Sequence, residues 1–208
     1  MADAVKLPLD QLSANARESM PVLSQGTTPS ALLAPKSVPG LLTQVKCREY
    51  IAMAESRPWR GGAVVKDGES TRSVTNLEIE IDVNDLLESV RAHVPDKLCG
   101  LSLMSIPAER VLFVRYGPGE YFDLHTDAAY RPSINRRSLF AMLVYLNDNF
   151  IGGETHFPDL GMTVRPETGT GLIIPHGIFH EGLKISNGVK YAFHSYILYA
   201  PSSEAQSS

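Results

Sequence analysis

From Val111 onward the chain is a succession of short apolar runs cut by glycine and proline, and this texture constrains the fold more than any other feature. The runs Val111–Tyr116, Tyr121–His125, Leu139–Leu146, Met162–Arg165, Gly171–Ile174 and Lys190–Tyr199 are rich in β-branched and aromatic residues and predict strands. Gly117-Pro118-Gly119, Gly152-Gly153, Gly169–Gly171 and Asn187-Gly188 supply the turns between them. No helical pattern intervenes. An antiparallel sandwich or barrel is therefore expected in place of βαβ units.

Upstream the period changes. Thr43 can cap a helix running to about Ser56, stopped by Arg57-Pro58 because proline disfavours helix in the residue before it. Asn84 can cap a second, from Asp85 to about His93, with Asp85 and Glu88 in its first turn and Pro95 beyond. Residues 1–40 carry Pro8, Pro21, Pro29, Pro35 and Pro39 and read as an extended, partly disordered arm. Residues 41–200 then form a single domain and 201–208 a disordered polar tail. The expected architecture is a mainly β body with N-terminal helices packed on it. At 208 residues it can bury a core without disulfide staples.

Charge and cysteine usage exclude some functions. A net charge of −4 and the absence of a basic stripe argue against a nucleic-acid or membrane-surface binder. No apolar run approaches the ~18 residues of a membrane span, and Met-Ala-Asp-Ala-Val-Lys is not a secretory n-region. Cys47 and Cys99 match no zinc spacing and read as free thiols, so a cytoplasmic location is expected.

His125-Thr126-Asp127 sets an imidazole and a carboxylate two residues apart. If the strand continues through them, both point to one face, ~6.6 Å apart at Cα, and can converge on a metal ion. On spacing alone, a turn aspartate beside a surface histidine is the more frequent outcome. A third candidate ligand, His180, closes an apolar run, and Lys190 opens the last strand ten residues later. In that strand Lys190, Ala192, His194, Tyr196 and Leu198 share one face, while Tyr191, Phe193, Ser195, Ile197 and Tyr199 share the other. The second face suits packing against helices. Burying an unpaired ammonium costs several kcal/mol, so Lys190 on the first face should meet a bound anion or a protein carboxylate, unless it is solvated at the strand start. Two histidines and an aspartate with open positions suit non-haem Fe(II), although zinc binds the same trio. His176 and His180 are four apart, but Pro175 and Gly177 argue against a helix there. His156 is a rival ligand, and His93 sits where it favours a helix dipole.

Five ordered segments carry a resemblance: Arg115-Tyr116-Gly117-Pro118-Gly119-Glu120-Tyr121-Phe122-Asp123-Leu124-His125-Thr126-Asp127, Tyr145-Leu146-Asn147-Asp148, Gly152-Gly153-Glu154-Thr155, His180-Glu181-Gly182 and Gly188-Val189-Lys190-Tyr191. Over roughly residues 110–200 the chain resembles the prolyl 4-hydroxylase-like branch of the Fe(II)- and 2-oxoglutarate-dependent dioxygenases. The resemblance implies a double-stranded β-helix, a jelly-roll or cupin-like core with the metal inside. It implies His125, Asp127 and His180 as iron ligands and Lys190 as the cation for the distal carboxylate of 2-oxoglutarate. Tyr145 would help hold that carboxylate and Tyr116 the keto-acid end. Many relatives have Trp where Tyr196 stands, and His194 beside it would either touch the co-substrate or fill the barrel.

The implied reaction consumes 2-oxoglutarate and O₂, releases succinate and CO₂, and hydroxylates an aliphatic C–H. Asp127 favours hydroxylation over halogenation; desaturation and ring closure stay open. The loop Tyr130–Arg137 should lie near the pocket mouth, where Arg131, Arg136 and Arg137 could clamp a carboxylate or phosphate if they are more than a soluble loop. Trp59 and Arg72 could line the entrance, with Trp59 as plain core the alternative. Nucleic-acid dealkylases of the family usually use Arg in place of Lys190. The expected substrate is a small, amino-acid-like molecule, with a peptidyl-prolyl hydroxylase as the alternative. A zinc-dependent hydrolase leaves Lys190 unexplained, and a non-catalytic sensor leaves the intact ligand set unexplained. Oligomeric state is not readable.

Overall fold

The computed structural model describes residues 34–66, 69–81, 83 and 85–205. The protein is mainly β. Its strands are β1 (Lys36–Val38), β2 (Arg60–Lys66), β3 (Glu69–Ile79), β4 (Lys97–Leu98), β5 (Leu101–Ser105), β6 (Val111–Tyr116), β7 (Tyr121–His125), β8 (Arg137–Tyr145), β9 (Ile151–Gly152), β10 (Thr155–Phe157), β11 (Met162–Val164), β12 (Gly171–Pro175), β13 (His180–Gly182), β14 (Ile185–Asn187) and β15 (Lys190–Ala200). The helices are α1 (Gln44–Glu55), α2 (Asp85–Arg91) and the single turn α3 (Ser202–Ala205). All strand pairs are antiparallel, in the order β1-β12-β8-β15-β6-β3-β7-β13-β10-β11, with β9 and β14 in a separate ribbon. The path curls. Residues of β6, β8, β12 and β15 face residues of β7, β10 and β13 across one internal cavity.

The two faces of β15 explain this placement. Phe193, Ile197 and Tyr199 are fully buried on one side. There Tyr50 of α1 meets Phe113 and Phe193 edge-on, both at 6.0 Å. Burying each such ring contributes ~2–3 kcal/mol. Thr43 caps α1 by accepting from the Lys46 N–H at 3.2 Å. The opposite face of β15 turns Lys190, His194 and Tyr196 into the cavity.

Several expectations shift. Lys36–Val38, assigned from sequence to the arm, adds an edge strand to β12, and the Lys36 ammonium donates to the His93 carbonyl at 2.8 Å; residues 1–33 lie outside the described residues. The tail forms a helical turn, with the Ser202 and Ser102 hydroxyls 2.9 Å apart. Asn84 also lies outside the described residues, and α2 ends at Arg91, short of His93. The hairpin β2–β3 and strand β5 carried no clean alternation. Residues such as Gly61, Gly62 and Arg72 blur the period of two, and only pairing with β6 and β7 makes β3 part of the sheet.

Gly169 turns the chain at φ +82, where a Cβ would run into the Leu42 carbonyl oxygen. That carbonyl neighbourhood also holds the Leu42 N–H on the Gly169 oxygen at 3.0 Å. Gly169→Ala is expected to cost at least ~1–2 kcal/mol from backbone strain alone, lowering Tm by about 2–8 °C. Thermal unfolding followed by circular dichroism reads this, and an unchanged Tm would show that the turn relaxes freely.

Candidate metal centre

His125 ends β7, and β13 pairs with β7 so that His180 lies directly opposite it. Register thus makes the two imidazoles neighbours, with ring centroids 4.3 Å apart. Asp127 arrives differently from the sequence expectation. The strand stops at His125, and the carboxylate is brought back by the following loop rather than by shared strand facing. Its Oδ1 lies 3.9 Å from His125 Nε2 and its Oδ2 3.6 Å from His180 Nε2. The ligand atoms of the three residues all fall within 4.8 Å of one another.

Backbone carbonyls set the imidazole tautomers. His125 Nδ1 lies 2.7 Å from the Asp123 oxygen, and His180 Nδ1 lies 3.1 Å from the Ile178 oxygen. A carbonyl only accepts, so both Nδ1 atoms carry the proton and both Nε2 lone pairs face Asp127. Burial, reinforced by the His180 charge, lowers the His125 pKa to about 4 and keeps the ring neutral. Burial pushes the Asp127 carboxyl up, but the neighbouring His194, His180 and His125 outweigh it and hold it below the usual carboxylate range. Asp127 Oδ2 is buried without a hydrogen-bond partner. Two free imidazole lone pairs and an orphaned carboxylate oxygen fit a divalent cation.

The cavity beside this trio has a volume of about 270 Å³. Lys190 closes it, 4% exposed, with Nζ donating to the Gly153 carbonyl at 2.6 Å. The rings of Tyr116 and Tyr145 lie 5.5 and 5.3 Å from Nζ. Burial lowers the Lys190 pKa to about 8, with Glu154 opposing. Among the described residues no carboxylate forms an ion pair with it, so the ammonium is left for an anion in the cavity.

Other candidates divide. Tyr116, His194 and Tyr196 line the cavity. Tyr145 does not: it is fully buried behind the wall, and its hydroxyl lies 2.8 Å from Thr155 Oγ1. Thr155 does line the cavity, a contact the sequence reading missed although Gly152-Gly153-Glu154-Thr155 was one of its motifs. Arg131, Arg136 and Arg137 are absent from the wall, contrary to expectation; Arg131 is exposed, and Arg137 starts β8 opposite Tyr199. The loop itself reaches the rim of the cavity, where the Tyr130 ring stacks on Tyr196 at 5.4 Å. Trp59 packs on the core beside Tyr191 and beneath the Arg115 guanidinium, 4.8 Å away, and does not line the entrance. Arg72 pairs through its backbone with Phe122, a cavity residue; its side chain lies outside what is described. His156 bonds to Thr163 at 2.9 Å, and buried His176 to Ser138 at 2.7 Å, so neither joins the trio.

Residues 111–198 match the sequence profile described as the 2OG-Fe(II) oxygenase superfamily. The matched segment, 88 of the 208 residues, is similar to that superfamily. The matched segment runs from β6 into β15 and contains every residue of the trio and Lys190. The chain is 30% identical over 103 residues to an Acanthamoeba polyphaga mimivirus protein provisionally assigned as a prolyl 4-hydroxylase, an alignment spanning 42% of that protein and 40% of this chain. In structure it is similar to the viral collagen prolyl hydroxylase of Paramecium Bursaria Chlorella virus-1, solved with 2OG (TM-score 0.54, 20% identity, 80% of this chain and 96% of that one). It is also similar to a Trichoplax adhaerens prolyl hydroxylase in complex with a hypoxia inducible factor oxygen degradation domain peptide fragment (TM-score 0.61, 14% identity, 85% and 87%). At these identities the structural likeness speaks for the fold. Iron(II) and 2-oxoglutarate are the cofactor and co-substrate of the superfamily, and His125, Asp127 and His180 could hold the iron. Among the described residues no helix is long and apolar enough to cross a membrane, which says nothing of strands.

Proposed function

We propose that this chain is a 2OG-Fe(II) oxygenase, a double-stranded β-helix enzyme that hydroxylates an aliphatic C–H, with His125, Asp127 and His180 holding Fe(II). The observation that carries the reading is Lys190: a buried ammonium with no carboxylate ion-paired to it among the described residues, in the same cavity as the orphaned Asp127 oxygen. When bound, the iron supplies oxidative decarboxylation of 2-oxoglutarate and transfer of an oxygen atom from O₂ to the substrate. The chain does the rest. Lys190 takes the distal carboxylate of the keto acid, with Tyr116 beside it and Thr155, tied to Tyr145, on the wall. Leu112, Val114, Leu143 and Ile174 exclude water from the cavity. The intact aspartate ligand favours hydroxylation, and the two free thiols suit a cytoplasmic enzyme.

Two substrate readings follow. A small amino-acid-like molecule would have been helped by an arginine clamp, and among the described residues no arginine lines the cavity. The relatives are named prolyl hydroxylases, one of them solved with a peptide fragment. The aromatic and apolar wall of Phe122, Ala128, Leu112 and Tyr196 suits an uncharged prolyl ring better than a free zwitterion. A peptidyl proline is therefore the better-supported substrate. Succinate release from 2-oxoglutarate should rise with proline-containing peptides and stay at background with free L-proline and other amino acids. The reverse pattern restores the small-molecule reading, and absence of 2-oxoglutarate binding to the Fe(II)-loaded protein removes the functional reading itself.

Lys190 also predicts a pH dependence. The anion needs the charged ammonium, and in the ligand-free protein that form is lost as pH rises through about 8. The dissociation constant of 2-oxoglutarate should be flat below that pH and rise toward tenfold per unit above it, read by anaerobic calorimetry. A flat profile to pH 10 would show that Lys190 does not hold the anion.

A further inference from the structure

A third imidazole faces the ligand trio. His194 projects from β15 into the cavity between Lys190 and Tyr196, and its Nε2 lies 3.4 Å from Asp127 Oδ1. That nitrogen is buried and has no well-formed hydrogen bond. It lies outside the set of ligand atoms that fall within 4.8 Å of one another, so His194 is aimed at the carboxylate rather than at the metal position. The Tyr196 ring stands edge-on to it at 5.0 Å and 85°, which limits its rotation. On the other side of Asp127, Oδ2 faces His180 Nε2 and is without a hydrogen-bond partner.

These facts separate the two carboxylate oxygens. A metal-binding carboxylate with no outer partner can bind through either oxygen or through both. A donor fixed on one oxygen leaves the other for the ion. We infer that His194 is a positioning residue, whose Nε2–H engages Oδ1 of Asp127 and leaves Oδ2 alone to the metal. The inference rests on the reading of His125, Asp127 and His180 as metal ligands. With a metal bound, the carboxylate would then take one coordination position and leave others for a keto acid and O₂.

Co(II) binding to the apoprotein, measured by calorimetry and by the visible spectrum of the bound ion, tests this without turnover. His194→Leu should weaken Co(II) binding by ~10–100-fold with Tm and far-ultraviolet circular dichroism unchanged. His194→Gln, which keeps an N–H at similar reach, should recover most of that loss and restore the parent spectrum. If His194→Leu does not fold, His194→Asn, too short to reach Oδ1, is held to the same criterion. Parent-like affinity in the Leu or Asn variant, or a Gln variant as weak as Leu, overturns the positioning role. Asp127→Ala is the control that separates the two failures: if it also binds Co(II) like the parent, the metal site is misassigned, whereas loss of binding in that variant alone removes only the role of His194.

Discussion

Lys190→Met is expected to raise the dissociation constant of 2-oxoglutarate by ~10²-fold or more while leaving the protein at least as stable at pH 7. Removing one partner of a buried, hydrogen-bonded charge pair costs ~2–5 kcal/mol of binding, which is about 30-fold to several thousand-fold. Stability moves the other way. Burial holds the Lys190 pKa at about 8 against an ordinary 10.5, so keeping the ammonium charged in the empty cavity opposes folding below pH 8. The shift corresponds to ~3 kcal/mol. Methionine fills similar volume without the charge, and loss of the bond to the Gly153 carbonyl offsets part of the relief. Weak 2-oxoglutarate binding beside an undiminished Tm therefore cannot be blamed on unfolding. A variant that binds the keto acid within threefold of the parent would refute the anion-holding role.

Asp127→Ala should remove metal binding and succinate formation together. Alanine deletes the one carboxylate of the proposed trio and leaves two imidazoles, each already committed by its Nδ1 proton to a backbone carbonyl. Loss of a direct ligand should exceed the ~10–100-fold that outer partners of ligands typically contribute. Binding of Fe(II) or Co(II) should thus fall by more than ~100-fold, and 2-oxoglutarate turnover to background. The fold should survive, because Asp127 sits in a loop after β7 and its Oδ2 makes no hydrogen bond. Metal binding and turnover retained in a folded variant would place the centre elsewhere. Tight zinc binding with hydrolysis and no 2-oxoglutarate requirement in the parent would instead favour a zinc hydrolase.

The sequence by itself determined the strands that build the cavity. β6 and β7 match their predicted bounds, and β8, β12 and β15 differ by one or two residues at their ends, because apolar runs between Gly and Pro are local signals. It also determined which face of β15 carries Lys190, His194 and Tyr196, since alternation in a strand needs no knowledge of its neighbours. Tertiary structure decided what depends on residues distant in sequence. Opposition of His180 and His125 is a matter of register between β13 and β7, and the approach of Asp127 is decided by a loop. Absence of Arg131, Arg136 and Arg137 from the cavity wall depends on the path of the loop that enters β8. Thr155 reaches the wall only because β10 pairs with β13. Side-chain type and local period are written in the chain; register, loop direction and closure arise from pairing free energies summed over strands far apart in sequence, which no local pattern carries.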